Sequence, residues 1–353
     1  MNQLTKINKI LLFTVLIVAV LYFGAPFLKP LTFGILLASL MMPFCNFLES
    51  KGINRIFAAI ISTFVLFIVI GAILSLFIFQ LNQFVLEISS FGNELKSFIR
   101  DVQDQIASLT NLSIERQSNI LQKRSEEFLG NIETYVTQFI RGLINSLIDL
   151  LIILLYVILL LLYRKKIHEF IMMYVRKEKK DDSTEALGKI NKIVFHYLWG
   201  RAQIMVLLAI MYYITFLVFD LPFAVLLVIF GTLITIIPYF GPFVSGLMPI
   251  LFAVIFFENI QSVLLFTVII IIIQLTESYV LEPLVIGKEV KLNPLIVILA
   301  VILGGLIWGI AGMVLFVPIF AMINIISNYS PGLEPIGFLF GSSVGKDTTR
   351  NKQ

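Results

Sequence analysis

The stretch that decides the fold is Gly231–Pro249, with the sequence GTLITIIPYFGPFVSGLMP, in which three prolines and three glycines interrupt an apolar run. The uncharged run extends from Leu221 to Phe257, well beyond the roughly 20 residues of one membrane-spanning helix. Proline removes a backbone donor, and unpaired backbone groups are costly in hydrocarbon. The motif Pro238, Tyr239, Gly241 and Pro242 therefore predicts backbone that leaves the helix where other protein or water reaches it.

Two half-length apolar segments flank this motif, 222–237 and 243–257. Each is too short for a full span, and non-helical backbone between two such segments is typical of transport sites built from broken helices. We interpret the whole stretch as a re-entrant hairpin. The alternative is a tight turn between two ordinary helices.

The composition of the chain indicates an all-α polytopic membrane protein. Hydrophobic residues make up 59% of the 353 positions and charged residues 14%, against about 45–50% and about 25% in soluble domains. The basic residues lie beside apolar segments, as topology signals do, and a net charge of +4 gives no case for nucleic-acid binding. The pattern predicts several transmembrane segments, some of them broken or re-entrant.

The chain divides into six predicted regions. They are transmembrane segments 1–3 (1–86), an extracytoplasmic amphipathic helical hairpin (87–142), transmembrane segment 4 (143–163), a basic cytoplasmic loop (164–201), a C-terminal transmembrane domain with broken helices (202–328) and a cytoplasmic tail (329–353). Lys29-Pro30 separates the first two segments and predicts a tight antiparallel pair. Within the C-terminal domain, 295–326 reads either as a second hairpin opposite the first or as one helix kinked at Pro318.

The charge distribution predicts the topology. Between Arg164 and Arg201 there are ten bases against five acids, and such loops face the cytoplasm. This places the N-terminus and the C-terminus in the cytoplasm and the region 87–142 outside. That region carries apolar residues at spacings of three and four, typical of an amphipathic helix. The hairpin can pack on itself, on other subunits or on the membrane surface.

Ionisable side chains inside apolar segments are costly and are functional candidates. Glu277 follows a long uncharged run, and Asp149 lies in the fourth segment. Gln274 precedes Glu277 by three residues and shares its helical face, so the two can bind a cation or a proton, or accept hydrogen bonds from a polyhydroxylated solute. The alternatives are that Glu277 merely ends its span and that Asp149 has a structural role.

Glu282 and Arg201 complete the set of candidate transport residues. Glu282 lies about 140° around a straight α-helix from Glu277, so we expect the two carboxylates not to form a pair. Arg201 begins the fifth segment and reads first as a topology anchor, with contact to Glu277 or Glu282 as the alternative.

The sequence offers no catalytic constellation. His168 and His196 fall in the basic region without a His-Glu-x-x-His motif, a phosphate-binding Gly-x-x-x-x-Gly-Lys loop is absent, and Asp149 is the one candidate intramembrane aspartate. The single Cys45 excludes an intrachain disulfide and a thiolate metal cluster. We therefore expect neither an enzyme nor a cofactor or metal site.

Several motifs together carry a resemblance to a known family. In order they are IPYFGP at 237–242, Glu277, LEPLVIGK at 281–288, LNP at 292–294 and the glycine-rich stretch 304–318. This order resembles the C-terminal signature of the autoinducer-2 exporter family of membrane transporters. The layout with a long insertion between segments three and four and a basic region before segment five is similar as well.

The resemblance implies a homo-oligomeric transporter with about eight transmembrane segments in the bacterial plasma membrane. Its partners would be the lipid bilayer and a small polar solute, such as autoinducer-2. Family members are associated either with autoinducer-2 release or with sodium/proton exchange, so a sodium/proton antiporter is the alternative. A non-transporting membrane scaffold that uses the 87–142 hairpin is a further alternative.

Overall fold

The computed structural model describes residues 3–87, 131, 134–175, 180–286, 292–330 and 332–341, with the isolated positions 92, 97 and 100. Within these ranges the regular elements are helices. They are α1 (Gln3–Phe23), α2 (Ala25–Ser50), α3 (Arg55–Leu86), α4 (Leu147–Met173), α5 (Lys180–Val218), α6 (Ala224–Ile234), α7 (Phe240–Phe256), α8 (Ile260–Thr276), a π-helix (Glu277–Ile286), α9 (Pro294–Trp308), α10 (Ile310–Tyr329) and α11 (Glu334–Phe340).

Six helices in the described part of the chain are long and apolar enough to cross a membrane. They are Ala25–Ser50, Arg55–Leu86, Thr134–Met173, Ser183–Val218, Ile260–Ile286 and Ile310–Tyr329. Shorter apolar helices lie between and before them, and most of the side chains on the long helices face outward. Such outward apolar surface is expected where lipid replaces water. The prediction of an all-α polytopic membrane protein is confirmed.

One end of the helix bundle is rich in basic side chains, and we call it the basic end. The C-terminal end of α2 and the C-terminal half of α4 meet there, where Arg164 Nη2 lies 2.6 Å from Glu49 Oε2. The start of α5 lies there as well, since the hydroxyl of Thr184 lies 3.9 Å from the Met172 sulfur. Helix α5 then crosses the bundle and ends at Val218, at the opposite end.

The first hairpin consists of α6 and α7 and enters from the end opposite the basic end. There the ring of Phe223 packs edge-on against Phe84, at the end of α3, with centroids 5.0 Å apart. The chain leaves the helical path between Ile234 and Phe240. Gly241 is required at this turn, because a Cβ atom there would lie 2.2 Å from the Ile234 carbonyl oxygen. The break covers 235–239, so it includes Pro238 and Tyr239 of the predicted motif, whereas Gly241 and Pro242 lie in the first turn of α7.

The second hairpin consists of α9 and α10 and is inverted relative to the first. Its open end lies at the basic end, where Lys189 hydrogen-bonds the hydroxyl of Tyr329. The chain reverses at Gly309, whose φ of 66° favours glycine. The two helices touch at Gly304 and Gly312, where an added Cβ atom would meet the opposite backbone at 2.2 and 2.0 Å. The structure thus shows 295–326 as a hairpin rather than as one helix kinked at Pro318. Pro318 lies inside α10.

The predicted antiparallel pairing of the first two segments is wrong. Helical hydrogen bonds continue through the junction of α1 and α2: Gly24 N donates to Val20 O and Leu28 N to Gly24 O, both at 2.8 Å. Pro30 is a buried residue inside α2 rather than a break. Proline is tolerated in a membrane helix when neighbouring helices cover the freed backbone groups, so Lys29-Pro30 does not reverse the chain.

The predicted basic loop 164–201 is mostly helical. Helix α4 continues through the basic cluster to Met173, and α5 begins at Lys180. An ion pair of Glu185 with Lys189 one turn later, 2.6 Å apart, supports the charged start of α5. Beyond it, Val194 is buried against the second hairpin. The side of the membrane on which this region lies stays a prediction.

Two predicted regions are only partly described. The amphipathic hairpin 87–142 lies mostly outside the described residues, although Val136 and Ile140 at its end pack against Phe77 and Phe84 of α3. In the predicted tail, α11 packs back on the bundle, because Asn293 N donates to the Phe340 carbonyl at 2.9 Å. Positions 342–353 lie outside the described residues.

Candidate functional site

The tip of the first hairpin is a strained turn. Tyr239 has φ 63° and ψ −49°, and Phe240 N donates to the Pro238 carbonyl at 2.7 Å across it. Positive φ with this two-residue hydrogen bond defines a classic γ-turn, which is rare and strained. Strained backbone of this kind occurs preferentially at functional sites. The Tyr239 side chain remains 54% exposed at the turn.

The helix that carries Glu277 changes its winding at that residue. Helix α8 ends at Thr276, and Glu277–Ile286 continues as a π-helix. A π-helix bonds residue i to residue i+5, so residues five apart lie nearly one above the other. The expectation that Glu277 and Glu282 diverge was therefore wrong, since it assumed a straight α-helix. Both carboxylates face α5.

Arg201 of α5 lies between these two carboxylates. Its Nη1 atom is 2.8 Å from Glu282 Oε1 and 3.8 Å from Glu277 Oε1. Arg201 is 4% exposed and Glu277 0%, whereas the Glu282 side chain is 39% exposed. The burial of Arg201 contradicts its reading as a surface topology anchor. The group holds two acids and one base, and Glu282 connects it to the surface.

Buried polar atoms in this group lack partners. Among the described residues, neither carboxylate oxygen of Glu277 accepts a hydrogen bond, and the Arg201 Nε atom donates none. The side-chain oxygen of Gln274 is also buried without a donor in the described structure. Buried acceptors of this kind are rare in folded proteins, and a ligand, ion or water commonly completes them.

A second polar cluster joins the first hairpin to α5 and α8. The Gln274 amide nitrogen donates to the Tyr212 hydroxyl at 2.6 Å and to the Ser245 hydroxyl at 3.0 Å. Ser245 is wholly buried in α7 and donates to the Pro242 carbonyl at 3.1 Å. This cluster fixes α7 on α8, one turn from Glu277. The close packing depends on Gly246, where a Cβ atom would come within 3.0 Å of the Gln274 nitrogen.

These elements surround a cleft of about 690 Å³, which we call the Arg201 cleft. Both hairpins, α5 and the π-helix contribute to it. The lining residues are Tyr197, Arg201, Pro238, Tyr239, Pro242, Ser278, Tyr279, Glu282, Pro283, Ile286, Val297 and Val317. Glu277 contacts this lining through Arg201, and Gln274 precedes Glu277 by one helical turn. The structure therefore brings all the candidate residues together except Asp149.

Asp149 lies elsewhere, in the first turn of α4, and lines a different cavity. Sequence reasoning also missed Tyr197, Tyr212 and Ser245. Tyr197 precedes Arg201 by one helical turn and lies on the same helical face. A buried Arg201 would therefore have predicted that Tyr197 lines the cleft as well. Tyr212 lies in an apolar run, and a buried tyrosine hydroxyl requires a partner. The sequence does not show which partner it finds.

The fold and the cleft define a polytopic membrane protein with two inverted hairpins around a buried charged group. The family described as AI-2E family transporter matches residues 11–332. The chain belongs to this family, which confirms the resemblance, and is a membrane transporter.

Relatives with similar sequences extend over most of the chain. "Putative transport protein YrrI" of Bacillus subtilis (strain 168) is 25% identical over 304 residues, 84% of each chain. "Putative transport protein YhhT" of Escherichia coli (strain K12) is 21% identical over 328 residues, 93% of this chain and 91% of that protein. "Putative transport protein MJ1177" of Methanocaldococcus jannaschii is 22% identical, over 84% of this chain and 88% of that protein.

Proposed function

We propose that this transporter carries a small polar solute across the plasma membrane through the Arg201 cleft, with autoinducer-2 as the first solute to test. The observation that carries the proposal is the buried group of Arg201, Glu277 and Glu282 beside the broken tip of the first hairpin. Charges in a membrane protein are expensive and mark the paths of substrates and ions.

The chemistry of the solute follows from the unpaired atoms. The two Glu277 oxygens and the Gln274 side-chain oxygen are acceptors that lack donors in the described structure. A polyhydroxylated solute supplies several donors at once, and its own oxygens can accept from Arg201. The exposed aromatic ring of Tyr239 and the prolines of the hairpin tip supply apolar contact for its carbon skeleton.

The second candidate function is sodium/proton exchange, and the same group favours it through its charge. Two carboxylates against one guanidinium leave one negative charge when all three are ionised. A sodium ion bound by oxygen atoms, or a proton on Glu277, removes that charge. In this function Glu277 and Gln274 are ion ligands, and Arg201 limits how tightly the ion is held.

We further propose that the protein works as a homo-oligomer, with its C-terminus in the cytoplasm. Support comes from the basic end of the bundle, which by the positive-inside tendency faces the cytoplasm. The cytoplasmic N-terminus expected from the sequence required the chain to reverse after the first segment, and the helix continues there instead. Asp149 is not part of the transport path in this proposal, since it lies in the wall of another cavity.

A flux assay on the purified protein in vesicles tests the proposal. Vesicles loaded with autoinducer-2 should lose it faster than protein-free vesicles, with sodium and pH gradients unchanged. Faster decay of the sodium and proton gradients, without autoinducer-2 release, would select the antiporter. If every flux matches that of empty vesicles, the transport proposal fails and the scaffold interpretation replaces it.

A further inference from the structure

A second cavity lies at the end of the bundle opposite the basic end. Its volume is about 610 Å³. Lys29 of α2, Asp149 and Ser146 at the start of α4, Leu74 of α3 and Ala311 at the start of α10 contribute to its walls. We call it the Lys29 pocket. It shares no lining residue with the Arg201 cleft.

The packing of α2 on α4 explains the shape of this pocket. The two helices are in close contact at Gly34, where a Cβ atom would lie 2.7 Å from the Tyr156 Cβ atom. Phe33 and Ile153, next to this contact, form the apolar floor. Toward the helix starts the walls become polar. The pocket is therefore apolar on the side of Phe33 and Ile153 and charged on the side of Lys29 and Asp149.

The two charges in the pocket have opposite signs and are not paired with each other. Lys29 is half-buried and Asp149 is exposed, and the ion pairs found among the described residues involve neither of them. Charged side chains beside hydrocarbon require a partner. A ligand that carries one positive and one negative group supplies a partner for both.

The level of the pocket indicates the source of such a ligand. No charged residue lies between Lys29 and Glu49 or between Asp149 and Arg164, so Lys29 and Asp149 lie where two apolar runs enter the membrane. Lipid headgroups occupy this level. We propose that the Lys29 pocket binds a phospholipid of the phosphatidylethanolamine class. Its phosphodiester contacts Lys29, its primary ammonium donates to Asp149, and its upper acyl carbons lie on Phe33 and Ile153.

The charge pattern selects this headgroup over other common ones. A phosphatidylglycerol headgroup leaves Asp149 without a cation, and a phosphatidylcholine headgroup carries no ammonium N–H to donate. The bound lipid also touches Ala311, two residues after the Gly309 turn. On the other side of that turn, Trp308 Nε1 donates to the Leu21 carbonyl at 2.8 Å. The lipid and α1 thereby hold the tip of the second hairpin from two sides.

Native mass spectrometry of the delipidated full-length protein in detergent tests the proposal. Each of the three lipid classes is titrated separately, and size-exclusion profiles confirm that each variant is folded. The wild-type protein should bind dioleoyl-phosphatidylethanolamine about tenfold more tightly than the other two lipids, as loss of one charge-assisted contact implies. Asp149→Asn should remove this preference, and Lys29→Gln should weaken the binding of all three lipid classes about equally, because all three carry the phosphodiester. Lys165→Gln and Glu169→Gln at the basic end should keep both the affinity and the preference.

Ala311→Leu fills the pocket without changing a charge and should also remove the preference. This variant tests the proposal if one of the charge variants does not fold. Glycerophosphoethanolamine, the same headgroup without acyl chains, should not compete at equal concentration. The proposal is overturned if the wild type shows no preference or prefers phosphatidylglycerol. It is also overturned if the pocket variants bind like the wild type, or if glycerophosphoethanolamine competes as well as the lipid.

Discussion

The two hairpins of this transporter reverse the chain within the helix bundle in different ways. The first turns through five non-helical residues, at a strained Tyr239, beside a buried charged group. The second turns at Gly309 alone, and its helices meet backbone to backbone at Gly304 and Gly312. Polar groups inside a membrane are costly unless they are used. In the proposed function the first hairpin therefore contacts the solute, whereas the second contributes packed helices to the wall of the cleft.

The charged group beside the first hairpin should produce the largest effect. Arg201→Met leaves Glu277 buried without its cation, so the free energy of unfolding should fall by about 3–5 kcal/mol. Denaturant unfolding of the purified protein in detergent measures this change. The double variant Arg201→Met with Glu277→Met should recover most of the stability but no transport. Equal stability of the single variant and the wild type would show that the Arg201–Glu277 contact is not a buried ion pair.

The glycine contact of the second hairpin should come next in size. Gly304→Ala places a Cβ atom 2.2 Å from the Gly312 carbonyl oxygen, and overpacking of this kind lowers stability by about 1–3 kcal/mol. Gly71→Ala in α3 is the matched control, since no atom lies within 4 Å of its new Cβ. That change should raise stability by about 0.5–1 kcal/mol through helix propensity. Equal unfolding curves for the two variants would contradict the tight contact.

The smallest change in the free energy of unfolding is expected at the tip of the first hairpin, and it is an increase rather than a decrease. Tyr239→Gly removes the strain of a positive φ, worth about 1–3 kcal/mol, and loses part of this gain to the flexibility of glycine. The unfolding free energy should therefore rise by about 1 kcal/mol. Phe243→Gly, at another exposed aromatic residue (67%) but with helical backbone in α7, should lower it by about 1 kcal/mol. A loss of stability in Tyr239→Gly as large as in Phe243→Gly would show that the turn is unstrained.

The same contrast shows what a sequence can predict. Proline and glycine act on their own backbone, so a break next to Pro238 followed directly from the residues there. Pro30 has the same chemistry but lies inside α2, because neighbouring helices decide whether a proline ends a helix. The residues around Lys29 therefore could not show that the helix continues there. For the same reason they could not show that Lys29 lines a pocket.

The sequence identified most of the residues of the cleft but not how they are arranged. Glu277, Glu282 and Gln274 stand out because polar groups are rare in apolar segments, and this holds without a structure. Their arrangement depends on the π-helix at Glu277, which the sequence gives no rule to predict. The burial of Arg201 depends on contacts 81 residues apart, and those arise only from packing.

The measurement that tests the central claim most directly compares two glutamate variants in vesicles. Glu277→Gln removes the buried carboxylate of the cleft, whereas Glu258→Gln changes an exposed glutamate just before α8. With equal amounts of folded protein inserted, Glu277→Gln should lower the flux of autoinducer-2, or of sodium if the protein is an antiporter, by about tenfold or more. Glu258→Gln should match the wild type. Wild-type flux through folded Glu277→Gln protein would contradict the assignment of this cleft as the transport site.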